Sequence, residues 1–94
     1  MQKIELVPNL EHCIETVAKR KYDELVQTLL EGKIVDSETE EKVEILRLFL
    51  QTADFRKLRS ESEKQLFEGK SIRFMVYFKD QTLKYEMRIE SVKK

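Results

Sequence analysis

Two segments near the C-terminus alternate apolar and polar residues with a period of two. Residues 71–79 read SIRFMVYFK and residues 82–90 read TLKYEMRIE. Such alternation is typical of half-buried β-strands. If residues 80 and 81 form a two-residue turn, apolar residues face each other across the two strands on one side. The four apolar pairs are Phe78–Leu83, Val76–Tyr85, Phe74–Met87 and Ile72–Ile89.

A shift of this register by one residue would remove every one of these apolar pairs. The pattern therefore predicts an antiparallel β-hairpin with strands at 71–79 and 82–90. Asp80-Gln81 is not the Asp-Gly pair that two-residue turns favour, so a longer loop with a bulge remains an alternative.

A shorter alternation lies at the start of the chain, where Ile4 and Leu6 alternate with Lys3 and Glu5. This pattern predicts a strand over residues 3–7, which the following proline would end because proline cannot donate a backbone hydrogen bond. The strand can join the hairpin as a third member of one sheet.

A helix is predicted over residues 10–31, where apolar residues recur at steps of three and four. The recurring residues are Leu10, Cys13, Ile14, Val17, Ala18, Tyr22, Leu25, Val26, Leu29 and Leu30. Asn9 is a candidate N-cap, and Gly32 stands where a left-handed residue commonly closes a helix.

Residues 37–40 (SETE) fit a capping box, which predicts a second helix over residues 38–52. Beyond it the apolar stripe rotates to another side of the helix. Either the chain breaks near 52–54 and a third helix follows over 54–68, or one long helix carries two apolar stripes and needs a partner. We favour the break, because Thr52 and Asp54 are both suitable cap residues at the point of rotation.

These elements predict one α+β domain over residues 1–94 with the order β-α-α-(α)-β-β. A small antiparallel sheet, formed by the C-terminal hairpin with or without a third strand, would be packed on one face by helices. The sequence does not determine the strand order.

Charge and composition narrow the classes of function. The chain has 18 Lys+Arg against 18 Asp+Glu and is 40% hydrophobic. Zero net charge argues against a domain that binds nucleic acid through bulk charge. No apolar run approaches the ~18 residues of a membrane span. The first residues lack the apolar core of a signal peptide. A single cysteine cannot form a disulfide within the chain, so the sequence does not call for an oxidising compartment. We therefore expect a soluble cytoplasmic protein that does not enter membranes.

Candidate catalytic and metal-binding residues are few. Cys13 lies on the apolar stripe and is expected in the core, and His12 is expected on the surface. His12 and Glu15 cannot supply the four ligands of a structural zinc site, and two glycines leave no room for a phosphate-binding loop. We predict no cofactor and no metal, and we lean against an enzyme. A site built across a dimer, with His12 and Tyr22, remains a third hypothesis.

The second helix is unusually apolar, with VEILRLFL at residues 43–50. A small domain has little depth in which to bury such a helix, so we predict that Leu48, Phe55 and Leu58 contact a second copy or another protein. The alternative is that the third helix folds back and covers Leu48 within one chain. A non-catalytic interaction or homo-oligomerising module, such as a homodimer, is our leading hypothesis.

The outward face of the hairpin suggests a second hypothesis. Arg73, Tyr77, Lys84 and Arg88 could contact phosphates and stack a base, as in modules that bind nucleic acid. Glu86 and Glu90 lie on the same face, however, and much of the helical charge has a partner at i+4. Nucleic-acid binding is therefore the alternative.

Overall fold

The computed structural model describes residues 3–32 and 37–91, so the predicted domain of residues 1–94 extends beyond the described residues. The elements are β1 (Lys3–Leu6), α1 (Ile14–Leu30), α2 (Ser37–Thr52), α3 (Phe55–Phe67), β2 (Lys70–Lys79) and β3 (Thr82–Ser91). Helices pack against a three-stranded antiparallel sheet, which confirms the predicted α+β class and element order.

The sheet has the order β1-β2-β3, with β2 in the centre. The four apolar pairs predicted for the hairpin are all present in the register of β2 and β3. Asp80 and Gln81 both have positive φ, at 52° and 63°, so the turn has two residues rather than the longer loop. Two successive left-handed residues form the type I′ turn, whose twist matches that of the flanking strands.

Helix α1 begins at Ile14, four residues later than predicted. The Asn9 side-chain oxygen accepts hydrogen bonds from the backbone N–H groups of Glu11 and His12, at 2.9 and 2.8 Å. The backbone N–H of Asn9 in turn donates to the carbonyl of His12 at 2.9 Å. Asn9 thus closes a turn ahead of the helix instead of capping it. At the other end Gly32 is left-handed, with φ 66°, as predicted.

The predicted break between the second and third helices is confirmed. Helix α2 ends at Thr52, and Asp54 is the N-cap of α3, its carboxylate accepting from the backbone N–H of Lys57 at 3.2 Å. Ser37 is already helical, so α2 begins one residue earlier than predicted. Residues 33–36, before it, lie outside the described residues.

The core lies between the helices and one face of the sheet. Its buried members are Ile4, Leu6, Ile14, Ala18, Ile45, Leu46, Phe49, Leu58, Phe74 and Val76. Phe49 is fully buried, and its ring meets those of Phe55, Phe74 and Tyr85 at centroid distances of 5.3, 5.7 and 5.9 Å. One side chain of α2 therefore connects α3 with both strands of the hairpin.

None of the helices in residues 3–32 and 37–91 combines the length and apolar character that crossing a membrane requires.

Candidate interaction surface on strand β3

The apolar face of the sheet is covered over β2 but only partly over β3. Ile72 and Val76 of β2 are fully buried. Their cross-strand partners on β3 are Ile89, which is 44% exposed, and Tyr85, which is 48% exposed. The helices therefore cover the middle of the sheet and leave an apolar strip open along β3.

Aromatic contacts hold one part of this strip in place. The Tyr85 ring stacks on Phe74, with centroids 5.3 Å apart and ring planes 21° apart, and also meets the edge of Phe49. Offset stacking of this kind stabilises a pair of rings beyond the area that it buries. Tyr85 thus presents its open side as part of a packed aromatic cluster.

The free edge of β3 has charged side chains on its outward side but lacks the other devices that usually protect sheet edges. Such edges are commonly short, interrupted by proline or a bulge, or provided with charges that point inward. Strand β1 is four residues long and is followed closely by Pro8. Strand β3 has ten residues without proline or glycine, and its pairing with β2 is uninterrupted. Its core-facing side chains carry no charge: they are Leu83, Tyr85, Met87 and Ile89.

The opposite side of β3 carries charges of alternating sign: Lys84, Glu86, Arg88 and Glu90. Glu86 accepts a hydrogen bond from the Tyr77 hydroxyl at 3.0 Å, and this bond raises the pKa of Tyr77. A guanidinium nitrogen of Arg88 lies 4.0 Å from a carboxylate oxygen of Glu86, at the distance limit of an ion pair. Lys84 forms no ion pair with any residue in the part of the chain that the structure describes. Charge on β3 is therefore only weakly paired within the chain.

The residues predicted to contact nucleic acid share the outward face of the sheet, and carboxylates separate them. Arg73 Nε lies 3.6 Å from a Glu5 carboxylate oxygen and 3.8 Å from one of Glu90. The Tyr77 ring lies 5.1 Å beneath the Lys3 ammonium group. Lys84 and Arg88 pair in register with Tyr77 and Arg73. This face is a mosaic of both charges rather than a continuous basic stripe.

The residues predicted for a protein interface are not brought together on one surface. Leu58 is 5% exposed and belongs to the core, because α3 folds back against the sheet. Phe55 is partly buried, and its ring packs edge-to-face against that of Phe49 with the ring centroids 5.3 Å apart. Leu48 is also partly buried and lines a separate shallow groove with Phe78. The chain itself thus covers much of the apolar surplus that suggested these contacts.

Cys13 is the N-cap of α1 and is partly exposed, so its predicted place in the core is wrong. Burial raises the pKa of the Cys13 thiol. Three other influences outweigh burial and bring this pKa below its ordinary value: a 3.3 Å hydrogen bond with the Thr16 hydroxyl, the nearby backbone amides, and the charge of Arg59.

His12 Nε2 lies 3.4 Å from an Arg20 guanidinium nitrogen. Within the described ranges, histidine, cysteine and carboxylate side chains nowhere gather in threes as a metal site requires.

Sequence reasoning did not identify Tyr85 and Ile89 as surface residues. Apolar alternation assigns a residue to the inner face of a sheet, but the extent of its burial depends on which strand lies at the edge. The alternating charges of β3 and its lack of proline or glycine were visible in the sequence and could have indicated the open edge.

Comparison with known proteins identifies a matching protein-family model and an uncharacterized relative. A protein-family model matches residues 3–90. An uncharacterized protein of Archaeoglobus fulgidus is 52% identical over 52 residues, an alignment that covers 51% of this chain and 59% of that relative. The match thus spans less than two thirds of the relative's length. No solved structure matches the chain.

Proposed function

The chain belongs to the protein family whose model matches residues 3–90, and we propose that it is a non-catalytic protein-interaction module. Its contact surface is the open apolar strip and free edge of β3. The observation that supports this proposal is the half-exposed state of Tyr85 and Ile89 on an edge strand that has no proline, bulge or inward-pointing charge.

Two energetic contributions favour a partner at this place. Covering Tyr85 and Ile89 removes apolar surface from water, which is worth about 25 cal/mol per Å². An added strand also satisfies the outward-facing backbone groups of β3, the mode of recognition in which main-chain hydrogen bonds supply affinity and side chains supply specificity. Both contributions arise from the same ten-residue strand.

A tagged pull-down from the native host, with nuclease treatment, tests this proposal. Partners of the unaltered chain should survive nuclease and be lost with the double variant Tyr85→Lys/Ile89→Lys. The matched control is Leu10→Lys/Leu30→Lys, which alters two exposed apolar residues outside the sheet and should keep the partners. Partners that are retained by the β3 variant would contradict the proposal.

Nucleic-acid binding remains the second prediction, because Arg73, Tyr77, Lys84 and Arg88 share one face. A filter-binding titration with RNA and DNA at low and moderate salt tests it. Binding at low salt that is lost with Lys84→Glu/Arg88→Glu would support this alternative, and absence of binding at low salt would end it.

A further inference from the structure

We propose that the occupant of the β3 edge is the β3 strand of a second copy, paired antiparallel with Met87 opposite Met87. This inference rests on the proposed function and specifies its partner. It joins two three-stranded sheets into one six-stranded sheet around a twofold axis.

The hairpin turn determines which backbone groups are free for this pairing. In a two-residue turn the flanking residues, Lys79 and Thr82, form a hydrogen-bonded pair, and hydrogen-bonded and non-hydrogen-bonded pairs then alternate along the ladder. The residues of β3 that direct their N–H and C=O groups away from β2 follow from this alternation. They are Leu83, Tyr85, Met87 and Ile89. Two copies can pair these residues with each other while keeping the apolar sides of both strands on one face.

The charges of β3 favour one register. With Met87 on the twofold axis, Glu86 lies opposite Arg88 of the second copy, and Lys84 lies opposite Glu90 of the second copy. The symmetry repeats each pair, so every charged side chain of the outward side meets an opposite charge. Opposite charges across strands stabilise a pairing, and like charges destabilise it.

The neighbouring registers that keep the same faces together bring like charges into contact. Centring the axis on Glu86 sets that residue opposite itself and Lys84 opposite Arg88. Centring it on Arg88 sets that residue opposite itself and Glu86 opposite Glu90. The charge order therefore selects the Met87 register over both neighbours.

The same register places the apolar strips of the two copies side by side. Tyr85 of one copy lies opposite Ile89 of the other, and the two Met87 side chains meet between these pairs. The two side chains that are half exposed in the single chain thus become cross-strand neighbours. Aromatic and β-branched side chains are favourable cross-strand partners.

Disulfide trapping tests the register in a Cys13→Ser background. Directly opposite residues have Cα atoms about 4.5–5.5 Å apart, within reach of a disulfide. Met87→Cys should cross-link to itself under mild oxidation. Tyr85→Cys and Ile89→Cys should each remain uncross-linked alone but cross-link when mixed. A dimer in which Met87→Cys does not cross-link would overturn the inference.

Charge exchange tests the same pairing without a covalent bond. Glu86→Arg and Arg88→Glu should each weaken dimerisation by about tenfold, measured by sedimentation equilibrium, because each variant sets like charges opposite each other. An equimolar mixture of the two should recover association, since all its pairs at these positions are then opposite in sign. The double variant Glu86→Arg/Arg88→Glu should recover it as well, and circular dichroism establishes that each variant is folded.

The outcomes separate the inference from the proposed function. A chain that is monomeric at high concentration, but binds other proteins through Tyr85 and Ile89, overturns the inference and supports the proposed function. A chain that dimerises equally well as Tyr85→Lys/Ile89→Lys contradicts both. Failure of the variant mixture to recover association overturns the register.

Discussion

The ring of Phe55, the first residue of α3, meets the ring of Phe49 edge-on, with centroids 5.3 Å apart and planes at 82°. This contact bridges the break between α2 and α3, because Phe49 precedes the break and Phe55 follows it. Edge-to-face pairs stabilise a fold by about 0.5–1.5 kcal/mol beyond the area that they bury.

A double-mutant cycle with Phe49→Leu and Phe55→Leu should therefore yield a coupling of about 1 kcal/mol in the free energy of unfolding. Chemical denaturation followed by circular dichroism measures it. Phe67→Leu, at a largely exposed ring, is the control and should change stability by less than about 0.5 kcal/mol. Additive effects of the two leucine substitutions would contradict the proposed role of the ring pair.

The contribution of the α3 N-cap, Asp54, to the free energy of unfolding should be measurable by itself. Asp54→Ala removes the acceptor for the Lys57 backbone N–H and should lower the free energy of unfolding by about 1 kcal/mol. Asp54→Asn keeps a capping oxygen and should retain most of the stability. Equal losses for the two variants would indicate that the carboxylate charge, rather than the cap, is responsible.

Substitutions in the turn between β2 and β3 should stabilise the fold. Asp80 and Gln81 occupy left-handed conformations that cost non-glycine residues about 1 kcal/mol each. Asp80→Asn/Gln81→Gly supplies the residues that a type I′ turn prefers and should raise the melting temperature. Thr82→Gly, in the adjoining strand, should lower it. A lower melting temperature for the turn variant would contradict the positive φ angles.

The Cys13 thiol should ionise at a lower pH in the folded chain than in the unfolded chain. Its hydrogen bond with Thr16 contributes to the lowered pKa, so Thr16→Val should move the midpoint of alkylation towards higher pH, and Thr16→Ser should not. Iodoacetamide rates across a pH series, with and without denaturant, measure both effects.

The sign of the corresponding change in stability follows from linkage. Because the folded pKa lies below the unfolded one, the stabilisation from Cys13 is present above the unfolded pKa and is lost as pH falls through the folded pKa. If the pH midpoint of Cys13 alkylation were higher in the folded chain than in the denatured chain, the lowered pKa would be contradicted.

The sequence predicted elements whose determinants are local. The register of the hairpin follows from apolar pairs within a few residues of the turn, and the break at Asp54 follows from a cap at the point where the apolar stripe rotates. The same local reasoning misplaced the start of α1, because an asparagine that caps a helix and one that closes a turn look alike in sequence.

Features that depend on distant contacts were not predicted. Leu58 was assigned to a partner because the return of α3 onto the sheet cannot be derived from the helical period alone. Tyr85 and Ile89 were assigned to the apolar face, but their exposure depends on β3 being an edge strand. Helix packing and strand order are properties of the whole fold, and the first difference arises from helix packing and the second from strand order.

The two edges of the sheet differ: β1 ends after four residues close to a proline, whereas β3 extends for ten. Growth of a sheet into a fibril needs a receptive strand on each side of every added molecule. Within residues 3–32 and 37–91 the sheet offers one such strand, and a twofold pairing at β3 consumes it in both copies. Association by strand addition would therefore stop at two molecules, and the exposed apolar strip would lead to a closed pair rather than to a growing polymer.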